Sequence, residues 1–415
     1  MLIEFSVENF LSFKEKVTLS MDSSSSKKIP QNLIELNKKE KLLKSAVIYG
    51  ANSSGKSNFI KAMYFMQGLV LNSHNFNINS NIPVSPFKLS EECKKKPSNF
   101  EIKFIQNNKT YKYGFSCTSK KIVSEYLYDI SKQNPKPIFT REKTKKFVFP
   151  IDEEQQNLLK SQTIDNTLYL SRATQLGYDK TKDAYDFFSK KIIVNIDLVN
   201  INPSWEGYTI NKAYENSDFK KKILDVLKKA DFGGIENIRI KKKKIPVKEF
   251  TFNFSHENSS FESKDGTDDV FSVQTMHKNE DGKIVYFDLN DESMGTKKTF
   301  LILGPLFDII EKGNIAFIDE LEQSLHPEIT RLLVRMFNSK KNKDAQVIFT
   351  THDTTLLDNE VFRRDQVYLF SKEQNSSTEL SSLLDYDIRQ EIDFERAYLN
   401  GRFGGVPLID ETLFD

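Results

Sequence analysis

Gly50-Ala51-Asn52-Ser53-Ser54-Gly55-Lys56-Ser57 fits the pattern G-x-x-x-x-G-K-[ST], in which glycines let the backbone curl until its N–H groups point at phosphate oxygens. Gly50, Asn52, Ser53, Ser54 and Gly55 form the cradle of that pattern, Lys56 reaches the β and γ phosphates, and Ser57 binds magnesium. Three further segments follow in fixed order. Asp319 and Glu320 end the apolar run Ile315 to Ile318, the place for a magnesium carboxylate and a water-polarising carboxylate, although an acidic pair also closes ordinary turns. Before them, Ser293-Met294-Gly295 puts a hydroxyl and a close-approach glycine at the start of a helix-compatible stretch. Taken alone, Ser293 reads first as an N-cap, and a helix start also attracts anions. His352, in Thr350-Thr351-His352-Asp353, has a spacing from the acidic pair that suits a γ-phosphate sensor, where a lone histidine is otherwise a satisfied polar residue. Together the four segments describe one ATP and Mg2+ site.

Such a site needs strands that stop at one level. Ala46 to Tyr49, Ile315 to Ile318 and Gln346 to Phe349 are short apolar runs suited to strands buried on both faces, and ligands of open α/β sheets bind at the carboxyl ends. Asn58 to Leu71 has helical spacing, which places the loop between strand and helix with the helix dipole facing phosphate. Met1 to Val7 alternates like a strand, and Asp22 to Lys28 reads as an exposed loop. Phe100 to Ile130 alternates around Gln106-Asn107-Asn108-Lys109, the pattern of an antiparallel meander. From Asp152 to Ala230 the pattern turns helical, clearest at Asn166 to Leu170 and in the basic amphipathic Phe219 to Ala230, and Gly233-Gly234 closes that lobe. A hairpin, Val270 to Met276 and Lys283 to Leu289 around Asp281-Gly282, leads into the Ser293 segment. Lys241 to Lys244 reads as a solvated face or edge-strand guard before a nucleic-acid contact.

The order of phosphate loop, distal segment, acidic strand and histidine resembles the ABC-type ATPase head shared by transporters, SMC-type chromosome and break-repair proteins, and RecF. Met1 to Lys14 with Glu8-Asn9-Phe10-Leu11-Ser12-Phe13, Gly50-Ala51-Asn52, Glu292-Ser293-Met294-Gly295-Thr296-Lys297, Asp319-Glu320-Leu321-Glu322-Gln323-Ser324-Leu325-His326-Pro327 and the tail Tyr398 to Pro407 narrow it. These resemble the bacterial AAA-annotated, ABC-type ATPases of abortive infection, relatives of the overcoming-lysogenisation-defect (OLD) proteins. Leu11 departs from the pattern, since many relatives carry a basic residue there. The resemblance implies an α/β fold, an ABC-type P-loop NTPase head over residues 1–99 and 236–415, with an inserted strand meander and helical lobe over 100–235. It implies a head-to-tail dimer in which each ATP lies between one chain's phosphate loop and the other's Ser293 and Gly295. Within it Ser57 and Asp319 hold magnesium, Glu320 orients the attacking water, His352 contacts the γ phosphate, and Ser324-Leu325-His326 crosses the dimer interface. No glutamine loop is identified; Ser85-Pro86-Phe87-Lys88 is the candidate segment and contains no glutamine.

Composition sets the outer limits. The 415 residues exceed one ordinary domain, and a net charge of +2 from 60 basic and 58 acidic residues does not mark a protein built around the phosphate backbone of DNA. Cys93 and Cys117 are too few for a disulfide scaffold or a cysteine zinc site and suit a reducing compartment. No leader-like start and no long apolar span is present, so a cytoplasmic protein without a membrane partner is expected. Between Leu71 and Glu292 there is no sustained heptad pattern, which argues against the coiled-coil arm of SMC-type proteins. The 63 residues after His352 are too few for the TOPRIM nuclease of OLD proteins, and Asp385-Tyr386-Asp387 has no strand-like run before it. The expected partners are a second copy of this chain and a separately encoded effector, such as a nuclease or toxin. The alternative is a RecF-like or SMC-like DNA repair or maintenance ATPase.

Overall fold

The computed structural model of the chain describes residues 1–37, 40–195, 203–230, 234–254, 259–373, 376–387 and 392–406. Gly233 and Pro407, named above, lie outside them. The chain forms two compact units, the first of Met1–Leu198, Asp308–Gln323 and Thr330–Asp415, the second of Val199–Phe307 and Ser324–Ile329.

Among the described residues the first unit holds two large sheets and a two-stranded one, Leu33–Glu35 paired with Lys41–Leu43. One large sheet has the strand order Ile192–Asn195, Ile315–Ile318, Gln346–Thr350, Ser45–Gly50, Val367–Lys372 and Thr378–Ser382. Its first five strands run parallel and only the last pairing is antiparallel. The inner strands are apolar and buried throughout, as a sheet covered on both faces requires. The other large sheet is a seven-stranded antiparallel one, ordered Lys146–Val148, Lys136–Glu142, Ile122–Asp129, Lys109–Cys117, Ser98–Gln106, Leu2–Glu8 and Val17–Ser20. Here the meander read from alternation is present, turning at Asn107 and Asn108, both with positive φ.

The inserted lobe expected to begin at residue 100 does not divide the chain that way. Position 100 falls inside the strand Ser98–Gln106, which pairs along its length with Leu2–Glu8, so the meander completes the N-terminal sheet and belongs to the first unit. The other expected boundary, 235/236, also moves, because the strands Asn237–Phe254, Ser259–Lys278 and Ile284–Asp288 join the helices Pro203–Glu215 and Ser217–Lys229 in the second unit. Within the stretch read as helical, Ile192–Asn195 is an edge strand of the parallel sheet, and Asn166 to Leu168 is a turn before the helix Tyr169–Gln175. Ser217–Lys229 is the basic amphipathic helix, with Phe219, Ile223 and Leu227 buried at four-residue intervals.

Phenylalanines fasten the phosphate-loop helix, Lys56–Asn72, to both sheets. Phe59, in its first turn, packs edge-on against Phe5 at 5.2 Å and Phe370 at 5.8 Å between ring centroids, and Phe13 packs against both Phe59 and Phe370. Burying such rings is worth about 2–3 kcal/mol each by area, with more from edge-to-face geometry. Rigid placement of the first helical turn fixes the loop before it. No helix among the described residues is long and apolar enough to cross a membrane.

Candidate nucleotide site

Because the strands are parallel, the carboxyl ends of Ser45–Gly50, Gln346–Thr350 and Ile315–Ile318 lie at one edge of the sheet. Gln346–Thr350 sits between the other two, so the residues after it lie between the phosphate loop and the acidic pair. Four residues read from the sequence thereby come to one place: Lys56, Asp319, Glu320 and His352.

The loop opens at Gly50, φ 149°, and ends at Gly55, φ 112°, which precedes the helix. A Cβ on Gly50 would lie 2.4 Å from the Phe370 carbonyl oxygen, and one on Gly55 would lie 2.4 Å from Thr378 Oγ1, so only glycine fits either position. Asn52 and Ser53 are exposed, Ser53 with φ 63°, while Ser54 is buried with its Oγ unpartnered among the described residues. The Lys56 ammonium is buried and donates to the carbonyls of Gly50 at 2.7 Å and Ala51 at 3.1 Å. Burial holds its pKa down at about 8, against the opposing pull of Asp319, Glu320 and Glu322. A buried cation spending its hydrogens on loop carbonyls is poised to exchange them for an anion. Ser57, half-buried, follows at the helix start.

Thr350 organises the acidic pair. Its hydroxyl donates to Asp319 Oδ1 at 2.6 Å and accepts the Glu320 N–H at 2.8 Å, which fixes the buried Asp319 and the left-handed Glu320, φ 49°. Glu320 Oε1 lies 3.9 Å from His352 Nε2, and both side chains are 40% exposed. The His352 N–H donates to Glu322 Oε1 at 2.6 Å, and the other oxygen of Glu322 is buried without a partner among the described residues. One buried carboxylate beside a phosphate loop suits magnesium, which is commonly held by one or two carboxylates together with substrate phosphates. Glycine cradle, buried ammonium and carboxylate therefore fit a magnesium nucleotide.

The loop-bracing contacts of three residues escaped sequence reading. Thr378 Oγ1 donates to the Ser54 carbonyl at 2.7 Å and lies 2.8 Å from Ser12 Oγ, which in turn accepts from Asn58 Nδ2 at 2.9 Å. The Thr378 N–H also donates to the Ser12 carbonyl. With one hydroxyl proton on Thr378 committed to Ser54, the Ser12 hydroxyl turns to Thr378, and the hydrogen bonds run in one direction from Asn58 to the loop. Ser12 stands within the N-terminal motif, whereas nothing in the sequence around Thr378 points to the loop. Thr378→Val keeps the shape and removes the hydroxyl. It should weaken ATP affinity about tenfold, with saturated turnover little changed, as read from KM and kcat.

The tail packs against the same loop. The Tyr398 hydroxyl donates to the Gly405 carbonyl at 3.1 Å, its ring lies 5.7 Å from that of Tyr49, and a Cβ on Gly405 would approach Gly50 Cα to 3.4 Å. Ser85 to Lys88, the candidate glutamine loop, is irregular and tied to the N-terminal turn, with Leu11 N–H donating to Ser85 O and Phe87 N–H to Asn9 Oδ1.

Ser293 and Gly295 belong to the second unit. Ser293 Oγ accepts the Thr296 N–H at 3.1 Å and so caps the helix Met294–Lys312. A cavity of about 400 Å³ there is lined by Ser293, Gly295, Thr299, Leu325, His326 and Ile329, with the Thr299 hydroxyl buried and unpartnered among the described residues. Ser324 to His326 thus adjoins the Ser293 segment, as the Ser324 carbonyl lies 3.7 Å from a Cβ built on Gly295.

A family model described as "AAA domain, putative AbiEii toxin, Type IV TA system" matches residues 45–358, a span holding the phosphate loop, the Ser293 segment, the acidic strand and His352. No curated protein matches the chain. Among solved structures, an SMC head bound to the C-winged helix domain of ScpA aligns over 94% of this chain and 98% of its own at 13% identity, with a TM-score of 0.42. The SMC head domain from Thermotoga maritima aligns over 92% and 98% at 12% identity, with a TM-score of 0.38.

Proposed function

The chain belongs to the family described as "AAA domain, putative AbiEii toxin, Type IV TA system", and from that premise we propose an ATP-hydrolysing switch of antiphage defence that governs a separately encoded effector. The observation that carries the ATPase reading is the meeting of Lys56, Asp319, Glu320 and His352 at the carboxyl ends of the parallel strands of one sheet. Phosphoryl transfer asks a protein mainly for position and charge. Lys56 and the loop N–H groups neutralise the β and γ phosphates. Glu320 accepts a hydrogen bond from the attacking water, and His352 donates to the γ phosphate. Magnesium, when bound, spreads charge over the phosphate oxygens, and Ser57 and Asp319 are the residues that would hold it.

In this reading Ser293 and Gly295 of a second copy complete the site, so ATP clamps a dimer and hydrolysis releases it. The capping bond uses a lone pair of Ser293 Oγ, and a hydroxyl that accepts one bond can still donate another to phosphate. Ser293→Asp tests this. Aspartate caps a helix as well as serine does, yet it sets a carboxylate where phosphate must come. The variant should bind ATP as a monomer and show ATP-driven association weakened at least about tenfold, read by equilibrium sedimentation with ATP. Unchanged association would remove Ser293 from the interface.

The deciding measurement is steady-state ATP turnover at increasing protein concentration, with and without linear duplex DNA. Turnover per chain that rises with concentration and ignores DNA supports a composite site answering to a protein partner. Strong stimulation by DNA would replace this reading with a repair-type ATPase, and the absence of turnover with magnesium would overturn both.

A further inference from the structure

Glu292, the residue before Ser293, is gripped by two side chains of one strand. The Thr275 hydroxyl donates to Glu292 Oε1, and His277 Nε2 lies 2.7 Å from that same oxygen and 3.2 Å from Thr275 Oγ1. Thr275 and His277 are two apart on the strand Ser259–Lys278, so both project from one face. In register they stand opposite Phe287 and Val285 of the strand Ile284–Asp288. The Phe287 ring meets the imidazole edge-on at 5.0 Å and holds its plane. Thr275 is buried, and His277 and Glu292 are 17% and 15% exposed, which shields their contact from solvent.

We propose that His277 is a positioning residue for the Ser293–Gly295 segment. One peptide bond separates the clamped Glu292 from Ser293, whose own hydroxyl oxygen accepts the capping bond of the first helical turn. The hairpin therefore fixes the start of the helix from one side, while the helix cap fixes it from the other. A shift of the hairpin strand carries Glu292 with it and turns Ser293 and Gly295 towards or away from a second chain's phosphate. This makes the hairpin of the second unit an input to the ATP-driven dimer, and it rests on the composite-site reading above.

His277→Ala and His277→Gln, each in the full chain, separate positioning from folding. The readouts are the protein concentration at half-maximal turnover, ATP binding at a concentration where the chain is monomeric, and the midpoint of thermal unfolding. His277→Ala should raise the half-maximal concentration about tenfold, the loss expected for a hydrogen bond to a charged group, while monomeric ATP binding stays as in the wild type. His277→Gln, whose amide can donate to Glu292, should restore most of it. Unmoved concentration dependence in His277→Ala, or ATP binding lost in step with unfolding in both variants, overturns the inference. Wild-type turnover per chain that does not vary with concentration instead sinks the composite-site reading, a result distinguishable from either.

Discussion

Lys56→Ala should abolish measurable ATP binding and turnover, a loss of at least about 10²–10³-fold, the scale of removing one buried donor from a site of developing charge. The ammonium is buried at the centre of the loop and faces Asp319, Glu320 and Glu322. Without it a triphosphate would meet three carboxylates and no lysine charge. Lys56→Arg keeps the charge but exchanges a compact ammonium for a planar fork in a space fitted to the former, so it too should bind poorly. Titration calorimetry with ATP would measure both, and near wild-type affinity in Lys56→Ala would refute the loop assignment.

The same lysine predicts a pH dependence. Its pKa of about 8 means that the nucleotide-free chain gives up this proton as pH rises past 8. ATP needs the charged form, so binding above that pH must take a proton up, and affinity should fall by up to about tenfold per pH unit. Stability moves the other way. Between pH 8 and the ordinary lysine value the unfolded chain holds a proton that the folded chain has released, so the nucleotide-free fold gains stability as pH rises through that window.

Glu320→Gln should retain ATP and lose about 10²–10⁴-fold in turnover, the usual share of a positioned acid–base group. The swap is nearly isosteric and leaves the backbone bond from Glu320 to Thr350 Oγ1 in place, so the local turn survives. What disappears is the carboxylate charge beside His352. Since ATP is held and not cleaved, the dimer should persist, seen as an ATP-dependent species of twice the mass in size-exclusion chromatography with light scattering. Hydrolysis at the wild-type rate would dismiss Glu320 as the water-orienting group.

The loop, the acidic strand and the histidine strand were legible because their signals are local. A glycine forced by backbone curvature, an apolar run of four to six residues and a polar residue at its end need only neighbouring sequence to be read. Helix starts were legible for the same reason, as Ser293 shows by capping its helix. The domain division was not. Alternation in Phe100 to Ile130 shows a strand's two faces but not its neighbour, and hydrogen bonding to Leu2–Glu8, set by pairing across nearly a hundred residues, placed the meander in the first unit. Ile192–Asn195 was missed because four residues after a helical stretch carry too short a pattern to be told from its continuation.

By itself, then, the sequence determined the glycine loop, the buried lysine and the strand-end residues of the candidate site, since backbone freedom, charge and strand-end position are properties of a few adjacent residues. Tertiary structure alone decided what holds them in place. Thr350 holds the Asp319 carboxylate and the Glu320 backbone N–H, Thr378 and Ser12 brace the loop, and His277 grips the residue beside Ser293. Each of those contacts joins two different elements through a single polar atom, across 15 residues for His277 and 324 for Thr378, and one hydroxyl or imidazole leaves no periodicity to read.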